Sequence, residues 1–223
     1  MEVELEYMKP GEIEARSFEI IRQELEDRGI RLDPAQDAVI RRVIHTTADF
    51  DYVDNLVFSS GAVRSMKDAI ENGAWIITDT NMARSGINRR LLASFGGECR
   101  CFMSEEDVAE EAKKRGVTRA VVSMERAAAL DRDVLFAVGN APTALVRLYE
   151  MIRNGDISPA GIIGVPVGFV NVVEAKELIL ETEVPHIVAR GRKGGSNVAA
   201  AIVNALLYEL DPSRGIQKTI GMN

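Results

Sequence analysis

Apolar residues recur every three to five positions over residues 11–28, at Ile13, Phe18, Ile21 and Leu25, and the run stops at Gly29. That spacing predicts an amphipathic helix. Asp33 followed by Pro34 has the form of an N-cap and first helical position, opening a second helix that runs to about His45 on a stripe of Val39 and Val43. Residues 55–58 read as a short strand, 61–72 as a helix closed by Asn72 and Gly73, and "AWIITDT" as an apolar strand ending at Asp79. A strand over 98–102 follows. A helix over 104–115 then starts with Ser104 as cap and Asp107 in the capping-box position, and one over 118–130 carries Val121, Met124 and Ala128 on one side.

The last third is the most regular. "VLFAVGNAPTALVRLYEMI", "AGIIGVPVGFVNVVEAKELIL" and "HIVARGRKGGSNVAAAIVNALLYEL" each run from an apolar strand through a Gly-containing turn into a helix. Continuous β-rich runs alternating with amphipathic helices predict an α/β fold, a mainly parallel open sheet with helices on both faces. Right-handed crossovers place the Gly-rich turns together at the C-terminal edge of that sheet, where open α/β sheets bind ligands. No repeat or low-complexity linker divides the chain. It is expected to form a single domain over 1–223, with its core at about 7–207 and a loose tail over 211–223.

Composition changes this picture little. With 223 residues, 46% hydrophobic and 27% charged, the chain can bury one substantial core. A net charge of -7 opposes general attraction to nucleic acid or to an anionic membrane. The first residues carry acids where a signal peptide needs bases. No apolar stretch reaches the roughly 20 residues of a membrane helix. Cys99 and Cys101, the only cysteines, are too close together for a disulfide framework and too few for a zinc site, so they are expected to be reduced in a cytoplasmic protein.

Candidate chemistry concentrates in the turns. Small residues let a ligand approach the backbone, and helix N-termini attract anions. Arg190, Arg192 and Lys193 form a basic patch, with no acid between Val188 and Tyr208. The expected ligand carries several carboxylates or phosphates. Both nucleotide signatures, G-x-x-x-x-G-K-[ST] and G-x-G-x-x-G, are absent. His45, one of two histidines, falls at or just past a helix C-terminus, where the macrodipole favours the imidazolium and keeps a proton available near neutrality. His186 reads as structural. Asp49, Asp51 and Asp54 lack a ligand framework and read as solvated or capping residues rather than a metal site. Arg89 and Arg90 read as solvated surface, the methionines as core, and Trp75 as core or subunit contact.

Several blocks carry a resemblance: "IEARSFEIIRQE", "HTTADFDYVDNLVFSSGAV", "GVTRA", "GNAPTALVRLYEMI", "GIIGVPVGFVNVVEAKE" and "ARGRKGGSNVAAAIVNAL". In order and spacing, from about Tyr7 to Leu207, the chain resembles the precorrin-8X / cobalt-precorrin-8 methylmutase family of cobalamin biosynthesis. The resemblance implies a homodimeric isomerase that moves a methyl group from C-11 to C-12 of a contracted tetrapyrrole, giving hydrogenobyrinate or cobyrinate. It implies no added cofactor, any cobalt being part of the substrate. The family's catalytic histidine falls on His45, its substrate-binding serine on Ser17 and the arginine of its "TR" pair on Arg119. Arg119 and Arg192 are then the first candidates to grip the tetrapyrrole's carboxylates, with backbone groups around Gly139, Asn140, Gly194 and Gly195 next. A noncatalytic corrinoid carrier would need the same anion-binding rim without a proton donor. A nucleotide-dependent enzyme would need a phosphate loop.

Overall fold

In the computed structural model, which describes residues 7–213, one six-stranded sheet organises the chain. Its strands are β1 (Leu56–Phe58), β2 (Trp75–Thr78), β3 (Cys99–Arg100), β4 (Val134–Val138), β5 (Gly161–Gly164) and β6 (His186–Ala189). They lie in the order β1-β6-β5-β4-β2-β3. Every neighbouring pair is parallel except β1 on β6, where Val57 stands opposite Val188. The helices are α1 (Pro10–Asp27), α2 (Asp37–Thr47), α3 (Tyr52–Asn55), α4 (Ala62–Glu71), α5 (Asn81–Gly86), α6 (Arg89–Ser94), α7 (Glu106–Arg115), α8 (Arg119–Ala128), α9 (Pro142–Arg153), α10 (Val172–Leu180) and α11 (Ser196–Leu210). The expected α/β class, mainly parallel with helices on both faces, is what forms. The tail beyond 213, expected to be loose, lies outside the described residues.

The strands read as continuous apolar runs because both of their faces are covered. Ile76, Leu135, Ile163 and Ile187 point to a core shared with α1, α2, α4 and α11. Their neighbours Ile77, Phe136, Ile162 and Val188 point to a second core under α7, α8, α9 and α10. The central element of the first core is α11, apolar almost all round, with Ile202, Val203 and Leu206 fully buried. Each such side chain contributes about 1.5–3 kcal/mol by leaving water. Small residues on α11 let α5 come close: a Cβ added to Gly86 would stand 2.9 Å from that of Ala200.

Local side-chain bonds move several boundaries. Asp33 accepts from the Ala35 N–H at 2.9 Å and so holds a turn, and α2 starts at Asp37 instead of Pro34. Ser104 lies in a 3₁₀ turn, bonded to the Asn81 side chain at 2.6 Å, while Asp107 pairs with Arg126. The expected capping box is therefore absent, and α7 begins at Glu106 behind Glu105. Ile13, assigned to the core face of α1, is 54% exposed. The buried face of α8 runs through Ala120, Met124 and Ala127, one position round from the expected Val121 and Ala128. Trp75 lies between two cations, with the guanidiniums of Arg100 and Arg132 at 4.5 and 4.2 Å from its ring. Helices α5 and α6 are each six residues long, too short to show a period in the sequence. Among the described residues no helix is long and apolar enough to cross a membrane.

Candidate active site

The strand order reverses between β2 and β4: from β2 the chain steps outward to β3, and from β4 it steps the other way through β5 to β6. The C-terminal ends of β2 and β4 thus flank the crevice where open α/β sheets usually take a ligand. Here a side chain of the protein fills it. Asp79, the residue after β2, is fully buried, and its carboxylate accepts from the N–H groups of Gly139, Asn140 and Ala141 at 2.9, 2.7 and 2.6 Å. Burial pushes this carboxyl up, and the three donors pull it back toward the ionised form. The backbone donors that sequence reasoning reserved for a substrate carboxylate at Gly139 and Asn140 are therefore engaged within the chain. Asn140 still offers an exposed side chain.

The glycines of these turns serve packing between turns. A Cβ on Gly139 would lie 2.7 Å from the Ser196 Cα, so the start of α11 sits directly over the β4–α9 turn. Thr80, in the turn between β2 and α5 next to Asp79, is tied to the start of α11 as well, its hydroxyl lying 2.7 Å from that of Ser196. Gly194 lies flat against the β5–α10 loop, where a Cβ would meet the Val165 carbonyl oxygen at 2.1 Å. The N–H of Gly195 donates to that same oxygen at 2.8 Å.

The expected basic patch divides once remote acids are brought in. Arg190 makes a two-pronged bond to Glu177 at 3.0 Å on each arm. Lys193 bridges Asp49 and Asp51, both at 2.6 Å. Only Arg192 has no carboxylate partner among the described residues. Its guanidinium lies 5.4 Å from the centre of the Phe169 ring, in a loop where Phe169 and Val170 are 82% and 78% exposed. The turn is supported from inside by Lys176, a fully buried residue of α10 whose ammonium donates to the carbonyls of Gly191 and Lys193, both at 2.8 Å. Burial alone pulls this ammonium down to about 8.

Arg119 belongs to the same edge. Thr118 bonds Thr143 at 2.9 Å, placing the start of α8 beside the first turn of α9. Arg119 is exposed, with one long bond to the Met103 carbonyl at 3.4 Å and no carboxylate partner among the described residues. Arg89 and Arg90 are exposed and lie elsewhere. The N–H of Asn88, just before them, donates to Asn204, about two turns along α11 from the turn edge.

His45 occupies the last turn of α2, and the Lys193 bridge to Asp49 and Asp51 ties the segment just after it to the β6–α11 turn. Its ring stacks on Phe18 of α1 at 5.0 Å with 16° between the planes. Ser17, the neighbour of Phe18, donates its hydroxyl to the Ile13 carbonyl at 2.9 Å, the back-bond expected of a mid-helix serine. His45 binds its proton less tightly than an ordinary histidine, chiefly because it is half-buried and then because of the Arg42 charge, with Glu14 opposing in part. This corrects the reading from helix polarity: burial and the Arg42 charge loosen the proton, and the resting ring is mostly neutral at pH 7. His186 is buried, with Nδ1 2.9 Å from the Val184 carbonyl. Two clefts, of about 400 Å³ between α1, α2 and α11 and about 590 Å³ at the opposite sheet edge, are lined by neither His45 nor the turns.

Sequence reasoning missed Asp79, Lys176 and Phe169 as parts of this edge. Each had a signal. Asp79 ends a strand that is otherwise apolar, Lys176 lies on the buried Val172, Ala175 and Ile179 stripe of its helix, and Phe169 and Val170 are apolar residues in a loop.

Comparison with known proteins agrees across nearly the whole chain. A family model described as precorrin-8X methylmutase matches residues 12–209. A cobalt-precorrin-8 methylmutase of Salmonella typhimurium is 50% identical, over 91% of this chain and 96% of its own. A precorrin-8X methylmutase of Pseudomonas aeruginosa is 40% identical, over 92% and 99%. Among solved structures, the precorrin-8X methylmutase of Thermus thermophilus superposes with a TM-score of 0.79 at 40% identity, covering 88% of this chain and 96% of that one. The sheet, its turn edge and these matches lead to one assignment: the chain belongs to the precorrin-8X methylmutase family, isomerases that catalyse methyl migration.

Proposed function

We propose that the protein moves a methyl group from C-11 to C-12 of precorrin-8X or cobalt-precorrin-8, with His45 as the general acid and base. The observation that carries this reading is the family match over residues 12–209, which takes in His45, and the segment just after His45 is tied by Lys193 to the turn that carries Arg192. Protonating a ring nitrogen leaves the conjugated system electron-poor and eases migration of the methyl to the neighbouring carbon, after which the proton returns. The rearrangement is intramolecular and redox-neutral, so the chain has no electrons to supply, and any cobalt is carried by the substrate. Arg119 and Arg192 bind two of the substrate's carboxylates, and the exposed Phe169 and Val170 meet its apolar face. Ser17 contributes to binding, as the resemblance implies. The same resemblance makes the enzyme a homodimer, for which a sedimentation mass of 24.4 kDa would be the contrary result.

The test is conversion of metal-free and cobalt-bearing precursors followed by visible absorption. His45→Ala is expected to lose about 10²–10⁴ of turnover while still shifting the ligand's bands on binding. Undiminished turnover would discard His45. The pH profile adds a direction. Because the free imidazole holds its proton below the ordinary 6.5, kcat/KM falls as pH rises through that lowered value. Bound carboxylates favour the imidazolium, so the fall in kcat comes at higher pH. Coincident limbs would argue against an acid that the substrate charges.

A further inference from the structure

Three successive carbonyls of the β6–α11 turn are spoken for. Those of Gly191 and Lys193 accept from the Lys176 ammonium, both at 2.8 Å, and that of Arg192 accepts from the Gly168 N–H at 3.2 Å. We propose that Lys176 is a positioning residue, which fixes this turn so that Arg192 is held outward for the substrate. The proposal rests on the reading of Arg192 as a substrate-gripping residue.

Two observations make the lysine more than packing. The first is its electrostatic isolation. Lys176 is fully buried and among the described residues its ammonium donates only to carbonyls, while the acids of the adjoining segments are committed elsewhere, Glu177 to Arg190 and both Asp49 and Asp51 to Lys193. An ammonium buried without an anion is costly, and an apolar residue of similar length would fill the same stripe of α10 more cheaply. What the ammonium provides is a double bond to one turn. The second observation is that the turn has little shape of its own. Gly191, Gly194 and Gly195 have φ of +76°, +157° and +139°, and glycine populates such conformations without any preference that would hold them. Drawing the carbonyls on either side of Arg192 onto one buried donor turns the Arg192 unit the opposite way, where its carbonyl meets Gly168 and its guanidinium lies over Phe169. The β5–α10 loop and the β6–α11 turn are thereby fixed together, since α10 itself carries the lysine.

The experiment replaces the ammonium with an apolar side chain in the full-length protein, Lys176→Met, and reads amide hydrogen exchange together with steady-state kinetics. Exchange at Gly168 and Gly195, whose N–H groups join the loop to the turn, is expected to accelerate. KM for the precursor, and Kd for hydrogenobyrinate titrated by visible absorption, are expected to rise about tenfold or more, the size of one charge-assisted contact, while kcat changes far less. Adding Arg192→Ala to Lys176→Met should cost less than Arg192→Ala does in the unaltered protein. Unchanged exchange overturns the proposal. Accelerated exchange with unchanged KM also overturns it, and Arg192→Ala alone then identifies the fault. If that variant raises KM, the positioning role fails and the function stands; if it does not, Arg192 is no substrate contact and the functional reading loses its grip residue. Should Lys176→Met not fold, isotope-labelled unaltered protein gives the answer by NMR. A slowly exchanging Lys176 ammonium signal supports the clamp, and an ammonium averaged by free rotation and solvent exchange overturns it.

Discussion

The β4–α9 and β6–α11 turns look alike in sequence and are electrostatic opposites in the fold. Both follow an apolar strand, both contain glycine and both open a helix. In the first, a buried anion sits on the donors: Asp79 takes the N–H groups of Gly139, Asn140 and Ala141. In the second, a buried cation sits under the acceptors: Lys176 takes the carbonyls of Gly191 and Lys193. A Gly-rich turn before a helix is an anion site only where the chain has not already supplied the anion. The first turn is closed from within. The second is braced from within; Arg192 stays exposed with no carboxylate partner among the described residues, and α11 starts uncapped by any side chain.

The largest effect that would separate the two belongs to the anion. Asp79→Ala strips three donors of their acceptor, and each buried N–H left unpaired costs about 1–3 kcal/mol. Water can reach Asn140 and Ala141, which are not fully buried, and relief of carboxylate burial offsets part of the loss. The net expectation is a loss of about 2–4 kcal/mol in urea unfolding at pH 7. Asp79→Asn, which retains one acceptor oxygen, should lose less. Equal stability of all three proteins would show that the first turn does not depend on its internal anion.

The fold was legible because its signals are local. Val39 and Val43 mark the buried stripe of α2, and the apolar runs of the last third mark β4, β5 and β6 with their helices. The site was legible only in part. Arg119 and Arg192 stand as expected, exposed at the turn edge, but Arg190 and Lys193 were read as free because their partners Glu177, Asp49 and Asp51 lie outside the stretch that contains them. The polarity of His45 was misjudged for the same kind of reason. A helix end is visible in sequence, whereas burial against Phe18 and the nearby Arg42 charge are products of packing between α1 and α2. Charge compensation is a tertiary property, and single-sequence reasoning overestimates free charge wherever the compensating group is distant.

A second, smaller effect tests the open turn. Arg192→Ala should raise the Kd for hydrogenobyrinate by about tenfold to a hundredfold, the range of a lost charge-assisted hydrogen bond, with little change in unfolding. Arg190→Ala, only two residues away, removes a guanidinium that Glu177 already holds and should leave Kd nearly unchanged. Similar losses in both variants would mean that the turn attracts its ligand by summed charge, and that the division drawn from Glu177 has no consequence for binding.

The smallest effect concerns why each turn needs glycine. At Gly191 a Cβ would meet nothing within 4 Å, but φ is +76°. The demand there is conformational, so Gly191→Ala should cost about 1 kcal/mol, and Gly191→Asn less, because asparagine tolerates the left-handed region better. At Gly139 the demand is steric, with backbone of Gly195 and Ser196 within 2.8 Å of an added Cβ. There Gly139→Ala should cost more than Gly191→Ala, and Gly139→Asn at least as much as Gly139→Ala, since a larger side chain meets the same backbone. Urea unfolding of the four variants reads the two orders directly. Asparagine milder than alanine at 191 but not at 139 separates a turn shaped by its dihedrals from one shaped by its neighbour, and the same order at both positions would erase that distinction.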